Sequence, residues 1–321
     1  MQNTMSGEVN DAKPSALDDL VGNRGVVEQV RVALSAARID NRRFDHCLLV
    51  GPPGLGKTTV AQVIAAEMDT EYIEVLGQSI RDSADLNAIL LTASEKTVLL
   101  VDEAHELKDV HQTLLYLALD KRRIILCGGR AGNSPQSIPL ADFTLLLATT
   151  DEHCLLAPLR DRMRLVLRFQ HLSEAELTTV VRDRSQALGW TIEDDVPPLI
   201  AMRAKGVPRL ALRLLQACWR VTRSRGESVI TLEHLLAACA LEQIDGLGLG
   251  PVEKAYLTAI ASGHSRLNVL ATLVGLPAQT VAQVIEPFLL RSGLVMKDDQ
   301  GRRCLTATGR AHLSGSCAIG V

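Results

Sequence analysis

Aromatic residues are scarce in this chain: Phe, Trp and Tyr make up 3% of its 321 residues. That argues against a surface that grips unpaired bases by stacking them on rings. Excess charge is lacking as well. With 34 Lys and Arg against 37 Asp and Glu, the formal net charge is −3, so any contact with nucleic acid has to come from a local basic patch. The seven cysteines (Cys47, Cys127, Cys154, Cys218, Cys239, Cys304 and Cys317) form no CxxC pair, and none stands at zinc spacing from a histidine. Most sit in apolar runs, where a reduced thiol packs as a small hydrophobe, and an odd count favours a reducing compartment. No run has the length and apolarity of a membrane span, and the polar start from Met1 to Ser15 lacks the apolar centre of a secretory leader. The expectation is a cytoplasmic protein without membrane association. What is present, 47% hydrophobic and 22% charged residues, suffices for two or three domains.

One stretch carries chemistry at once. The apolar Leu48-Leu49-Val50 breaks into Gly51-Pro52-Pro53-Gly54-Leu55-Gly56-Lys57-Thr58-Thr59, and a helix-compatible segment, Val60 to Met68, follows. Strand, glycine-rich turn and helix in that order are what a phosphate loop requires. The glycines let backbone N–H groups turn inward around a polyphosphate, and the helix N-terminus adds its positive end. Gly54, Gly56, Lys57, Thr58 and Thr59 are the expected binding residues for a nucleoside triphosphate. Lys57 would reach the β- and γ-phosphates, and the Thr58 hydroxyl would ligate Mg²⁺.

Further along, Thr97-Val98-Leu99-Leu100-Val101 is a strand buried on both faces of a parallel sheet. It ends in Asp102-Glu103, on the carboxyl edge where open α/β sheets bind ligands. The aspartate can hold Mg²⁺ through water and the glutamate can polarise an attacking water; alone, such a pair is only a solvated strand end. His105 is given a structural or coupling role, because phosphoryl transfer needs no imidazole here. Tyr72 to Val75 is a second strand, and Phe143 to Thr150 another, ending in two hydroxyls near the γ-phosphate position. Between them Arg123 to Gly129 and Ser137 to Leu140 form an inserted hairpin with Gly-Gly and Gly-Asn at its tip; its apolar residues either pack internally or dock a partner. Pro158-Leu159-Arg160-Asp161-Arg162 supplies arginines that either stabilise a transferring phosphoryl group, often across a subunit boundary, or pair with Asp161 at the surface.

The pattern then turns helical from Ser173 to Ala240, with no strand run and a capping box at Ser173-Glu174-Ala175-Glu176. Pro208 fits the first turn of a helix running to Thr222, which aims Arg209 toward the nucleotide. Gly246-Leu247-Gly248-Leu249-Gly250 reads as a linker. Three helices (Pro251 to Ile260, Arg266 to Val274, Ala278 to Leu290) and a hairpin of Leu294 to Lys297 with Arg303 to Thr306 then describe a winged helix. Such a module binds DNA or docks protein. Among its basic residues, Lys297 and Arg302 are the candidate DNA contacts, while Asp298-Asp299 at the tip repels phosphate.

Phe44-Asp45-His46 before the phosphate loop, Val101-Asp102-Glu103-Ala104-His105, Ala148-Thr149-Thr150, Pro158 to Arg162, Gly206-Val207-Pro208-Arg209 and Glu286-Pro287-Phe288-Leu289 occur together, in order and spacing. In this the chain resembles the RuvB family, the AAA+ motors of Holliday-junction branch migration in recombination and repair, from about residue 14 to 313. The resemblance implies an α/β fold: an AAA+ P-loop αβα core over 13–172, a helical lid over 173–245 and a C-terminal winged helix over 246–313, between a disordered start (1–12) and a tail (314–321). It implies ATP and Mg²⁺ at Lys57 and Thr58, with Asp102 and Glu103 as the Walker B pair. Thr150 falls at sensor 1, Arg162 at the trans-acting arginine finger and Arg209 at sensor 2. It also implies a hexameric ring on double-stranded DNA at a four-way junction, and a RuvA-type partner docked on the hairpin at 123–140. Lys13 stands where the family has an arginine beside the nucleotide, Leu172 where it has a tyrosine and Val207 where it has a threonine. The family's basic wing reads here Lys297-Asp298-Asp299-Gln300-Gly301-Arg302, which lowers its charge and its expected pull on DNA. Two alternatives stay open: a RuvB-derived motor repurposed for another partner, of clamp-loader or mobile-element type, and a nucleotide-gated regulator whose winged helix docks protein.

Overall fold

Alternation within continuous apolar runs decides the layering of the first half. The computed structural model describes residues 8–126 and 136–315. Its strands β1 (Cys47–Val50), β2 (Tyr72–Leu76) and β3 (Val98–Asp102) precede a hairpin of β4 (Arg123–Leu126) and β5 (Gln136–Pro139), and β6 (Thr144–Thr149) and β7 (Leu165–Arg168) follow it. Five of them form one parallel sheet in the order β2-β3-β6-β1-β7. Cys47 and Leu49 of β1, Val98 and Leu100 of β3, and Leu146 and Ala148 of β6 point to one buried layer, with helices α1 (Arg24–Ile39) and α2 (Lys57–Glu67). Their neighbours Leu48, Leu99, Val101, Leu145 and Leu147 point to the opposite layer, with α3 (Ser83–Thr92) and α4 (Asp109–Lys121). Period-two side chains thus fill two cores at once, the arrangement that strands buried on both faces require.

The strand starts are stitched by the Phe44-Asp45-His46 segment. Thr144 donates its hydroxyl to the Phe44 carbonyl at 2.8 Å, and the Leu145 amide donates to His46 Nδ1 at 2.9 Å. Burial, reinforced by the nearby Arg43 charge, lowers the His46 pKa to about 3, so the imidazole is a neutral acceptor at physiological pH. The short α5 (Ala157–Arg160) and the first turns of α6 (Glu174–Ala187) complete this part. The capping box at α6 is present, with the Ser173 hydroxyl and amide both donating to Glu176 at 2.8 Å.

The chain divides into two units: residues up to Val180 together with Val207–Arg209, and Val181–Gly206 with Leu210 onward. In the second unit, α7 (Val196–Arg203), α8 (Pro208–Ser224) and α9 (Leu232–Glu242) are joined by a parallel pair of two-residue strands, β8 (Thr191–Ile192) and β9 (Val229–Ile230). This corrects the expectation of helices alone; two residues are too few to show a period. Beyond them come α10 (Pro251–Ala261), α11 (Leu267–Val274), α12 (Ala278–Thr280) and α13 (Glu286–Arg291). The antiparallel wing of β10 (Val295–Lys297) and β11 (Arg303–Leu305), and then α14 (Ala307–Leu313), close the chain's described part. The third helix of this winged-helix module, expected as Ala278 to Leu290, is helical without a break to Arg291. Within it a π-turn, Val281–Ile285, joins α12 to α13, because Pro287 cannot donate to a carbonyl four residues back.

The expected linker differs as well. Asp245 accepts from the Leu247 and Leu249 amides at 3.0 and 2.9 Å, and Leu249 is fully buried. Gly248 has φ +75°, and a Cβ there would stand 2.0 Å from the Arg203 carbonyl oxygen. The glycines serve a tight, packed turn, not a flexible tether. Val9–Asp11 forms a 3-10 turn with Val9 buried, inside the stretch expected to lack order; the hairpin tip at 127–135, residues 1–7 and the tail from 316 lie outside the described residues. Among the described residues no single helix is long and apolar enough to cross a membrane. Gly248→Ala forces both a left-handed alanine and a backbone clash, so it should cost about 2 kcal/mol or more, read as a lower urea midpoint for the second unit; an unchanged midpoint would mean that the turn is slack.

Candidate functional site

Parallel pairing brings the carboxyl ends of β1, β6 and β3 to one edge. Val50 pairs with Thr149 and Val101 with Leu147, so the phosphate loop, the end of β6 and the acidic pair share a level. Gly54 (φ +80°) and Gly56 (φ +94°) make the loop's left-handed turns, and Gly56 is the N-cap of α2. Lys57 is 7% exposed; its ammonium donates to the Gly51 and Pro52 carbonyls at 2.6 and 3.1 Å. Burial pulls its pKa down, and the nearby Glu103 and Asp102 charges oppose that fall. Thr58 Oγ1 donates to Asp102 Oδ2 at 3.1 Å. Two hard oxygen donors thus converge one residue past the lysine, and their chemistry fits Mg²⁺, which takes one or two protein oxygens alongside phosphate. Thr59 follows within the first turn of α2.

Glu103 is held in an uncommon conformation. Its φ is +50°, its amide donates to Asp102 Oδ1 at 2.9 Å, and its carbonyl lies so close to Gly77 that a Cβ there would stand 2.6 Å away. A left-handed glutamate is a strained residue of the kind found at working sites. Beside it, His105 Nδ1 is 3.5 Å from Glu103 Oε2 and 3.3 Å from Thr149 Oγ1. Thr149 is fully buried and its hydroxyl donates to the Asp151 carbonyl, whereas Thr150, the residue singled out in the sequence, is exposed at the end of β6. Thr149, not Thr150, is the hydroxyl buried beside His105; the run Ala148-Thr149-Thr150 sets two hydroxyls side by side, and because β6 is buried on both faces its pattern does not say which of them meets the histidine.

Val207, Pro208 and Arg209 cluster with the α/β unit. The Arg209 amide donates to the Gly54 carbonyl at 3.3 Å, and a Cβ on Gly54 would stand 2.9 Å from Val207 and 3.0 Å from Arg209. The Arg209 charge also bears on Lys57. Arg209 is therefore seated on the phosphate loop. Arg162 is not paired with Asp161. Its Nε donates to Asp120 Oδ1 at 2.7 Å and its Nη2 to Oδ2 of the same carboxylate, which lowers the Asp120 pKa and raises that of Arg162. Lys13 is exposed, and among the described residues no hydrogen bond ties it to the phosphate loop. Leu172 is buried against Gly22. In the hairpin the open alternative divides by face, since Ile124 is buried and Ile125 is 54% exposed.

The wing is built around a buried carboxylate. Glu286, 1% exposed, accepts from Tyr256 Oη and Arg303 Nε, both at 2.6 Å, and from Lys297 Nζ at 2.9 Å. Lys297 is thereby tied inward. Asp298 accepts from the Gln300 and Arg302 amides, so it shapes the turn, and among the described residues the Arg302 guanidinium has no ion-pair partner.

The family model of the Holliday junction DNA helicase RuvB P-loop domain matches residues 12–169, the RuvB AAA lid domain 172–245 and the RuvB C-terminal winged helix domain 246–314. The chain belongs to the RuvB family. Among relatives named Holliday junction branch migration complex subunit RuvB, that of Nocardia farcinica is 38% identical over 314 residues, 96% of this chain and 87% of its own. That of Acidothermus cellulolyticus is 37% identical over 306 residues, 94% and 83%. The Thermotoga maritima RuvB Holliday junction branch migration motor superposes with a TM-score of 0.81 at 31% identity, covering 94% of this chain and 98% of that one. The RuvB fold is thus present from core to wing.

Burial alone would raise the Glu286 pKa, but hydrogen bonds from Arg303, Tyr256 and Lys297 outweigh it and hold the pKa at about 2. A depressed carboxylate contributes stability that is complete above its ordinary value of 4.5 and is lost as pH falls toward 2. Unfolding of the second unit should accordingly steepen across that window, and Glu286→Gln should flatten the profile while costing about 3 kcal/mol at neutral pH. A pH-independent difference between the two proteins would remove Glu286 from that role.

Proposed function

We infer that this RuvB-family chain is an ATP-hydrolysing motor that drives branch migration of Holliday junctions on double-stranded DNA. The observation that carries the reading is the meeting of Lys57, the Thr58–Asp102 pair, strained Glu103 and Arg209 on one sheet edge, in a chain whose winged helix also matches the family. Lys57 and the loop amides of Gly54 and Gly56 bind the β- and γ-phosphates, and Thr58 and Asp102 hold Mg²⁺, which would neutralise charge on the phosphates when bound. Glu103 orients the attacking water, with His105, itself in contact with Thr149, beside its carboxylate. Thr150 and Arg209 read the γ-phosphate within the subunit. Arg162 acts on the nucleotide of the next subunit in a homo-hexamer, where it stabilises the charge spreading over the transferring phosphoryl group. A RuvA-type protein docks on the hairpin of β4 and β5 through its exposed apolar face. Lys297 and Arg302 are the duplex contacts, with Arg302 the more available of the two.

The neutralised wing favours a second reading, a motor of the same descent that serves another partner. Migration of a synthetic four-way junction, with and without the RuvA-type protein of the same cell, separates the two. ATP-dependent migration with that partner supports the first reading; strong ATPase activity without migration supports the second.

Glu103→Gln should lower turnover at least about 100-fold while ATP affinity stays within a few-fold, as read by steady-state hydrolysis and nucleotide titration. Hydrolysis at the parent rate would remove Glu103 from the water-orienting role. Arg162→Ala and Lys57→Ala subunits, each inactive alone, should recover part of the activity when mixed, because an intact finger then faces an intact site. A mixture as dead as its components would place the finger elsewhere.

A further inference from the structure

Helix α4 ends in a charge placed against its own dipole. Asp120 is the penultimate residue of Asp109–Lys121, where the helix dipole favours a cation such as Lys121 and disfavours a carboxylate. The carboxylate faces Arg162, gripping Nε and Nη2 side-on. The same guanidinium lies 4.8 Å from the Tyr116 ring centroid, and its Nη1 donates to the Pro158 carbonyl. Four residues before Tyr116, the buried Gln112 accepts from the Leu156 amide at 2.7 Å and donates to the Cys154 carbonyl at 3.1 Å. Gln112, Tyr116 and Asp120 recur every four residues and so share one stripe of the helix. That stripe holds the whole segment from Cys154 to Arg162.

A guanidinium has five N–H donors. Three are engaged here, by the two Asp120 oxygens and the Pro158 carbonyl. Two are left, one on each terminal nitrogen, which suits a second, anionic partner without release of the first. Asp120 therefore does not compete with a phosphate for Arg162; it fixes the plane of the fork and its reach.

We propose that Asp120 is a positioning residue for phosphoryl transfer, holding Arg162 of its own subunit ready for the nucleotide bound to the neighbouring subunit. The proposal rests on the reading of Arg162 as the trans-acting arginine. An exposed ion pair adds little to stability, so the effect of losing Asp120 falls on turnover.

The test uses the full chain with ATP, Mg²⁺ and duplex DNA. Asp120→Ala should lower kcat about 10- to 100-fold with KM for ATP and the melting temperature unchanged, and Asp120→Glu should restore most of the loss. The double variant Asp120→Ala, Arg162→Ala should be no slower than Arg162→Ala alone, since one group acts through the other. Mixing Asp120→Ala with Lys57→Ala subunits should recover activity, because the second lends its held finger to the first. Mixing Asp120→Ala with subunits carrying both Lys57→Ala and Asp120→Ala should not. Should Asp120→Ala fail to fold, Asp120→Asn, of equal size, takes its place in every arm. Parent-like kcat in Asp120→Ala beside an inactive Arg162→Ala overturns the positioning role and leaves the finger standing. Parent-like kcat in Arg162→Ala overturns both. A loss in Asp120→Ala that adds to the loss in Arg162→Ala also overturns the proposal, because it places Asp120 outside the path through the arginine.

Discussion

The level edge of the parallel sheet is the constraint on which the rest of the first unit depends. Thr58 meets Asp102 across 3.1 Å although β6 lies between β1, which leads into the loop before Thr58, and β3, which carries Asp102. That contact forms because α2 packs over β6 and β3 together, and because the ladders hold Val50 level with Thr149 and Val101 level with Leu147. A one-residue slip in either ladder would turn the apolar set of a strand from one core to the other, and on both faces the side chains of β1, β3 and β6 are buried up to the strand ends. Packing on two faces therefore enforces the register, and the register brings the Thr58 and Asp102 oxygens together. Stability and chemistry here are one requirement.

Helix α4 extends that requirement to the edge of the protomer. Gln112 sits buried in the core layer while Tyr116 and Asp120 emerge toward the surface, so the helix carries rigidity from the sheet to Arg162. The same helix passes through Arg122, at φ +48°, into β4. The Leu140 amide donates to the Arg122 carbonyl at 2.9 Å, and the Arg122 guanidinium pairs with Asp142 at 3.2 Å. The arginine and the hairpin are thus supported by neighbouring turns of one rod. Side chains fixed by packing give a sharper geometry than side chains on a loop alone.

One period or one rigid chemical rule dominates wherever the fold is legible in the sequence. The aliphatic run before Asp102, the glycines around Leu55 and the Ser173 capping box each leave few alternatives, and the strands, loop and helix start they imply are all present. What stayed hidden depends on pairs distant in the chain. Asp120 looks like any surface acid until Arg162 is brought to it across 42 residues. The glycines at 246–250 have the composition of a tether, and only the Arg203 carbonyl against Gly248 reveals a packed turn. His105 and Thr149 are ordinary in composition, and Thr149 reaches His105, which lies beside Glu103, because β3 and β6 are adjacent. Local signals report propensity; the missed features report topology.

The wing illustrates how counting charges along a sequence misleads. Lys297, Arg302 and Arg303 look like three cations available to a duplex, yet two of them bind Glu286, which lies in the helix before the wing. With Asp298 and Asp299 included, the local set holds three cations and three carboxylates. Counterion release scales with the phosphates a surface neutralises, by roughly one power of salt concentration for each, so a wing with one unpaired arginine supplies little of that term. What it retains is shape, a short hairpin fixed by the Asp298 turn and by a carboxylate that cannot leave the core. Contacts of this kind are weak singly. They become useful when several copies engage one duplex together, because each additional contact is then intramolecular. In the ring proposed above, a near-neutral wing would hold a duplex through several copies and not through one, whereas a subunit acting alone would gain little from it.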